Sequence, residues 1–313
     1  MIPDQTLLTP PMPGHLVRDD GRPDAALRDD LRHIASVCNV WSVAWLWVQT
    51  IGVVVLAAWW GRPVGWVAAF FLFGRAHAQF AALMHEAAHR LLFRNRKAND
   101  WTGRWLLGFP TFSSPDAYRR GHMAHHRQEF GPDEPDLALY RDYPITRASL
   151  RRKLVRDATG QTGWKLMRAQ LRVLRSSDPR SRQAVRSIWA VQAVLLAVCI
   201  ATGYWFVYLL WIGSYLTVWR VINRLRSIAE HGGMHASPDR RETTHSVRQH
   251  LVARFWLVPY NIGWHLAHHA DSGIPWRNLP RLHRALVEAG YVSPGLEHRS
   301  YLALWRKLAS RPA

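Results

Sequence analysis

The chain has 313 residues, enough for one large domain or two modest ones, and a formal net charge of +19 from 41 Lys and Arg against 22 Asp and Glu. That balance invites a nucleic-acid reading, but the arginines alternate with long Trp-rich apolar blocks that a soluble nucleic-acid binder does not need; a membrane protein with a basic cytosolic face explains both. The two cysteines, Cys38 and Cys199, both lie in apolar runs, so neither a disulfide framework nor a Cys-based zinc or iron–sulfur site is supported.

The first 38 residues are acidic and Pro-containing, unlike the basic start of a signal peptide, and read as a cytosolic segment. Val40 to Trp60 (VWSVAWLWVQTIGVVVLAAWW) holds no charge and is long enough to cross a bilayer. After the break GRP, Val64 to Met84 is interrupted only by Arg75, His77 and Gln79, so the two blocks predict a hairpin with a very short outer turn at Arg62. Ionisable groups inside a span are costly. Arg75 and His77 are therefore expected to face the bundle near a substrate channel, the alternative being that they snorkel. A second apolar region, Ile188 to Trp219, is too long for one ordinary span and short for two; a break near Thr202–Gly203 makes a second hairpin if Arg186 and Arg220 snorkel to one interface, and one long buried helix is the competing reading. Between the hairpins, His85 to Ser187 carries about twenty Lys and Arg, whereas the proposed outer turns carry Arg62 alone. This asymmetry places the long segment and both termini in the cytoplasm. The 17 Trp are read mostly as anchors at the membrane interfaces, and Arg151–Lys153 as a patch for anionic headgroups or for an acidic electron-transfer protein.

The expected fold is therefore an all-α integral membrane protein: four transmembrane helices in two hairpins, with a cytosolic helical cap holding the histidine boxes. Residues 1–38 form the N-terminal segment, 39–287 the membrane domain with spans near 40–60, 64–84, 186–202 and 204–222, and 288–313 a cytosolic tail.

Most of the 17 histidines are clustered. HEAAH (85–89) ends the second span, GHMAHHR carries His122, His125 and His126, AEHGGMH carries His231 and His235, and WHLAHHA carries His265, His268 and His269. HEAAH fits the zinc-protease pattern H-E-x-x-H, and fits equally a plain H-x3-H metal pair. Residues three and four apart share a helix face, so each box aims two or three imidazoles at one point. A zinc protease needs about three protein ligands. Eight boxed histidines are too many for that and suit two metal ions side by side. Imidazole accommodates iron, zinc, copper or nickel.

From about Val40 to Leu286 the sequence resembles the membrane fatty-acyl desaturase and hydroxylase superfamily, marked by one H-x3-4-H box and two H-x2-3-H-H boxes. The resemblance includes the phrase DEPDLALY (133–140) after the second box, IAEHGG (228–233), and YNIGWHLAHHADSGIPWRNLPRLH (260–283), which look most like bacterial acyl-lipid and sphingolipid (dihydroceramide-type) desaturases. TTH (243–245) departs from the bacterial pattern, where an arginine is expected. The resemblance implies two iron ions, O2 as oxidant and electrons from an external donor, ferredoxin-type or other. It adds His231 as a ligand, so that His85, His89, His122, His125, His126, His231, His265, His268 and His269 would hold the irons.

Hydrogen removal from an unactivated alkyl C–H is beyond side-chain acids and bases, so the metals must carry it. No dinucleotide fingerprint, haem or iron–sulfur signature appears, hence the external donor. The expected reaction is O2-dependent desaturation of a lipid acyl chain at a bacterial inner membrane, with membrane lipids as neighbours and no nucleic acid. The alternatives are a hydroxylase or ketolase acting on alkyl or carotenoid substrates, and a non-catalytic metal-binding or transport protein. Glu86 and Glu230 are candidate acceptors for ligand imidazole N–H groups, His235 is a candidate ligand or neighbour, and His15, His33, His245, His250, His283 and His298 are expected at the surface.

Overall fold

The computed structural model describes residues 1–132 and 134–312; Asp133, which opens the DEPDLALY phrase, and Ala313 lie outside the described residues. The protein is all-α. Among the described residues strand is confined to Ser246–Val247 paired in parallel with Glu297–His298, and one isolated bridge between Val17 and Pro23. The chain divides into two compact units: Ala35–Tyr118 with Arg152–Asn223, and Met1–Ile34 with Arg119–Arg151 and Arg224–Ala313.

Four helices are long and apolar enough to cross a membrane: Ser36–Trp60, Pro63–Ala88, Pro179–Ala201 and the run Trp205–His231. The first ends on Gly61 in the left-handed conformation, φ 65°, which closes the last turn, and the second starts with Pro63 at its first position, where the missing N–H costs nothing. Trp47 meets Phe80 edge to face at 5.2 Å between these two helices. Along the first, Leu46 is buried while Trp41 and Trp59 are 71% and 84% exposed. Such a stripe is untenable in water and is the lipid-facing surface of an integral membrane protein.

The second apolar region breaks at Thr202 and Gly203, φ 78°, so the reading as one long helix is excluded. The fourth run bends once more at Thr217, whose φ −121° and ψ −81° are non-helical, and its second half, Val218–His231, continues well past position 222.

Arg75 and His77 differ in how they are accommodated. Arg75 donates to Gln49 at 3.2 Å and Gln79 at 2.9 Å. His77 is 1% exposed, packs its ring 4.0 Å from Trp211 and lies 3.2 Å from the Trp211 carbonyl. It faces the bundle.

Between the second and third spans the backbone is irregular over Gly103–Thr111, a π-helical then 3-10 stretch. Its carbonyls are met by side chains from the later spans: Gln192 donates to Phe109 at 2.8 Å, and Trp211 to Pro110 at 3.0 Å. Non-helical backbone at such a place persists only when its polar groups are satisfied in this way. Asn99 does the same for the turn after His89, accepting from Leu92 and Phe93 and donating to Ala87 at 2.9 Å.

The other unit packs its core around Leu31, Leu266, Ile274, Leu282, Leu286 and Tyr291. Helix Leu279–Glu288 is amphipathic, burying Leu279, Leu282, His283 and Leu286 at helical spacing. Helix Ala25–Leu31 begins at Asp24, which accepts from Leu27 N–H at 2.8 Å, and is tied back through Arg28 to Asp271 at 2.5 Å. This core holds the helix His265–Ala270, so the third box is fixed by packing on its apolar neighbours Leu266, Ala267 and Ala270.

Candidate metal centre

His122, His125 and His126 occupy the last turns of helix Pro115–Arg127, His231 ends helix Val218–His231, and His265, His268 and His269 lie in helix His265–Ala270. Gly232 and Gly233, the latter at φ 75°, end the His231 helix at that histidine.

These seven residues form two groups within their unit. In one, the Nε2 atoms of His122 and His268 stand 3.1 and 3.0 Å from Nε2 of His126. In the other, Nε2 of His265 is 3.0 Å from that of His231 and 3.1 Å from that of His269, and one nitrogen of His125 lies within 4.8 Å of these. All four of the second group are buried.

The tautomers decide what these contacts mean. Nδ1 of His231 lies 2.9 Å from the Thr243 carbonyl, which only accepts, so that nitrogen carries the proton. Nδ1 of His269 donates to Glu129 at 2.5 Å, and Nδ1 of His125 donates to Glu134. The Nε2 atoms of His231 and His269 are thereby left with lone pairs turned on His265. A single N–H of His265 can serve one of them and leaves the other facing a lone pair. Burial holds His265 and His269 well below the ordinary histidine range, so protonation does not relieve the contact. A cation does. Ligand nitrogens about 2.1 Å from one ion stand about 3 Å apart when at right angles, the separation seen in both groups. The donor set fits a metal.

The outer partners are largely carboxylates. Burial pulls the His125 pKa down, but the hydrogen bond and charge of Glu134 outweigh it and the net shift is upward. Burial raises Glu129, opposed by the Arg240 guanidinium 2.5 Å away. Glu230 sits 2.8 Å from Arg226 and 3.5 Å from Nδ1 of His265, close to the acceptor role expected of it. Glu129, Glu134 and the Thr243 carbonyl escaped the sequence reading, although both acids follow the second box closely and an acid search there would have found them. Thr243 carries no sequence signal, because its carbonyl acts and its side chain does not.

In the other unit, His85 and His89 lie on one face at the end of the second span, ring centroids 4.7 Å apart, and Glu86 between them is buried. His235 is not among the converging histidines; its ring turns toward Glu242, 3.9 Å away. Two histidines expected at the surface are buried. His245 donates from Nε2 to the Gly232 carbonyl at 2.8 Å beside the short strand pair, and His283 stacks on Trp264 at 4.1 Å on the buried face of its helix. His298 is half-buried against His245, while His15, His33 and His250 are exposed.

A family model described as fatty acid desaturase matches residues 57–301, most of the chain. The chain belongs to the fatty acid desaturase family. Within known members it is similar to the dihydrorhizobitoxine desaturase of Bradyrhizobium elkanii, 26% identical over 252 residues, covering 75% of this chain and 70% of that protein. Family membership, with four apolar helices, makes this an integral membrane protein of an oxidoreductase family.

Proposed function

We propose that this desaturase-family chain is a membrane di-iron enzyme that converts a C–C bond of a lipid acyl chain to C=C with O2. The observation that carries the reading is the pair of imidazole groups whose Nε2 atoms converge at 3.0–3.1 Å, with Nδ1 of His231 and His269 turned outward onto acceptors. His122, His126 and His268 would hold one iron and His125, His231, His265 and His269 the other. His85 and His89 would complete the set, a reading supported by the H-x3-H spacing and by family membership. When bound, the irons supply the O2-dependent oxidation that removes hydrogen from an unactivated alkyl carbon.

Glu129, Glu134 and the Thr243 carbonyl accept from Nδ1 of His269, His125 and His231, which keeps that proton on Nδ1 and leaves Nε2 as the donor atom toward a metal. The balance is simple: the substrate gives up two hydrogens, the donor supplies two electrons, the solvent two protons, and O2 takes four electrons to leave as two waters. Because the chain shows no flavin, haem or iron–sulfur motif in its sequence, the donor is a separate protein of ferredoxin type or similar. Both termini and the histidines are assigned to the cytoplasmic side of a bacterial inner membrane, on the Lys/Arg asymmetry. The similar protein named above is called a desaturase, which favours desaturation over hydroxylation.

Two measurements test this. Metal analysis of the purified protein should find two irons per chain, and one tightly bound zinc with peptidase activity would overturn the reading. Mass spectrometry of lipids from cells with and without the gene should show products lighter by two hydrogens. Products heavier by one oxygen would make it a hydroxylase.

A further inference from the structure

Glu129 and Arg240 belong to no histidine box, yet both reach the histidine groups. Glu129 follows helix Pro115–Arg127 by two residues, and Arg240 opens the short helix Arg240–Thr243. The Glu129 side chain is 1% exposed, and its Oε1 accepts from two donors, Nη1 of Arg240 and Nδ1 of His269, each at 2.5 Å. The second guanidinium nitrogen, Nη2, donates to the His126 carbonyl at 3.2 Å. Three residues along the same short helix, the Thr243 carbonyl accepts from Nδ1 of His231 at 2.9 Å. One ion pair, its carboxylate fully buried, therefore touches the segments that carry His126 and His269 and belongs to the short helix that accepts from His231.

We propose that Glu129 and Arg240 form a single positioning unit that fixes the register of these three segments and the tautomer of His269. The inference rests on the metal reading above. Without the carboxylate, His269 has no acceptor for its Nδ1 proton. Its proton is then free to move to Nε2, which removes the lone pair the metal needs. Without the guanidinium, Glu129 is a buried charge with one partner instead of two, and the His126 carbonyl loses a donor. The planar fork of arginine serves Glu129 and the His126 carbonyl together, whereas a lysine ammonium on a flexible stem does so poorly.

The test uses the full chain in detergent, with cobalt(II) as the metal probe and chelator competition to read affinity. Glu129→Ala and Arg240→Ala should each weaken cobalt binding roughly 10–100-fold and shift its visible absorption. The double variant should be no worse than the weaker single one, because the two residues act as one unit. Arg240→Lys should fall between wild type and Arg240→Ala. Arg241→Ala is the control: that arginine is more deeply buried but bonds Asp239, Thr9 and Tyr291, so its loss should lower the melting temperature and leave the cobalt spectrum alone. If the alanine variants do not yield folded protein, Glu129→Gln and Arg240→Lys are read instead, each with a smaller loss of cobalt affinity and a smaller spectral shift in the same direction expected. Wild-type affinity and an unchanged spectrum in the singles, or additive losses in the double variant, would overturn the proposal. A wild-type protein that takes up no cobalt would sink the metal reading itself, and this inference with it.

Discussion

Glu86 lies inside HEAAH, where a zinc protease would keep its general base, and the two readings of that box predict opposite behaviour. Glu86→Gln should retain measurable O2-dependent lipid oxidation while His268→Ala loses it and its metal. A Glu86→Gln variant that is inactive with full metal content would mean the box has been misread. A second residue-level prediction concerns acid. Burial, with His298 as the next cause, pushes His245 down to about 3, whereas its unfolded value is 6.5. Between pH 6.5 and about 3 the unfolded chain therefore binds a proton that the folded chain refuses. Stability is full above pH 6.5 and falls below it, by about 1.4 kcal/mol per pH unit for this one group. His245→Gln keeps a donor for the Gly232 carbonyl and removes the titration. Its melting temperature should fall less steeply from pH 7 to pH 5 than that of the wild type. Parallel curves would show that His245 does not matter. The boxed histidines stood out at this scale because H-x3-H and H-x2-H-H place several donors at helical spacing. The Thr243 carbonyl behind them did not, since a backbone group leaves no pattern, and the two acids only hinted at their role by following the second box closely.

Among the elements, close approach is set by glycines that the apolar pattern cannot distinguish. A Cβ at Gly163 would stand 2.4 Å from the Leu216 carbonyl oxygen and 2.7 Å from its Cα, both backbone atoms that have nowhere to go. Gly163→Ala should push helix Gln161–Arg172 off the bend after Leu216 and cost about 1–3 kcal/mol, read as a lower melting temperature. Gly74→Ala would meet Val218 Cγ1 at 2.2 Å, a side-chain atom, so Val218→Gly should rescue it. Nothing lies within 4 Å of a Cβ at Gly52, and Gly52→Ala should be neutral or stabilising. Equal effects at Gly52 and Gly163 would refute the packing argument. The break at Gly203 was readable from its turn residues. The bend at Thr217 and the π-helical stretch from Gly103 were not, because neither is encoded by a local breaker and both depend on what packs beside them.

For the whole molecule the open quantity is its orientation in the bilayer. With Cys38 and Cys199 replaced, a cysteine at Arg62→Cys should react with a membrane-impermeant reagent added outside intact cells, and one at Phe130→Cys should not. The reverse pattern would place the histidines on the wrong face. Sequence by itself determined that this is a membrane protein of four apolar helices with clustered histidines able to bind metal, because bilayer thickness and imidazole spacing both leave local, periodic marks in a chain. Only the tertiary structure decided which imidazoles converge and which groups accept from their Nδ1 atoms. It also decided that His245 and His283, polar by type, belong to the interior. Those outcomes depend on contacts between residues far apart in the chain, such as His126 with His268 and Glu129 with His269. A local pattern carries no information about such pairs until the helices pack.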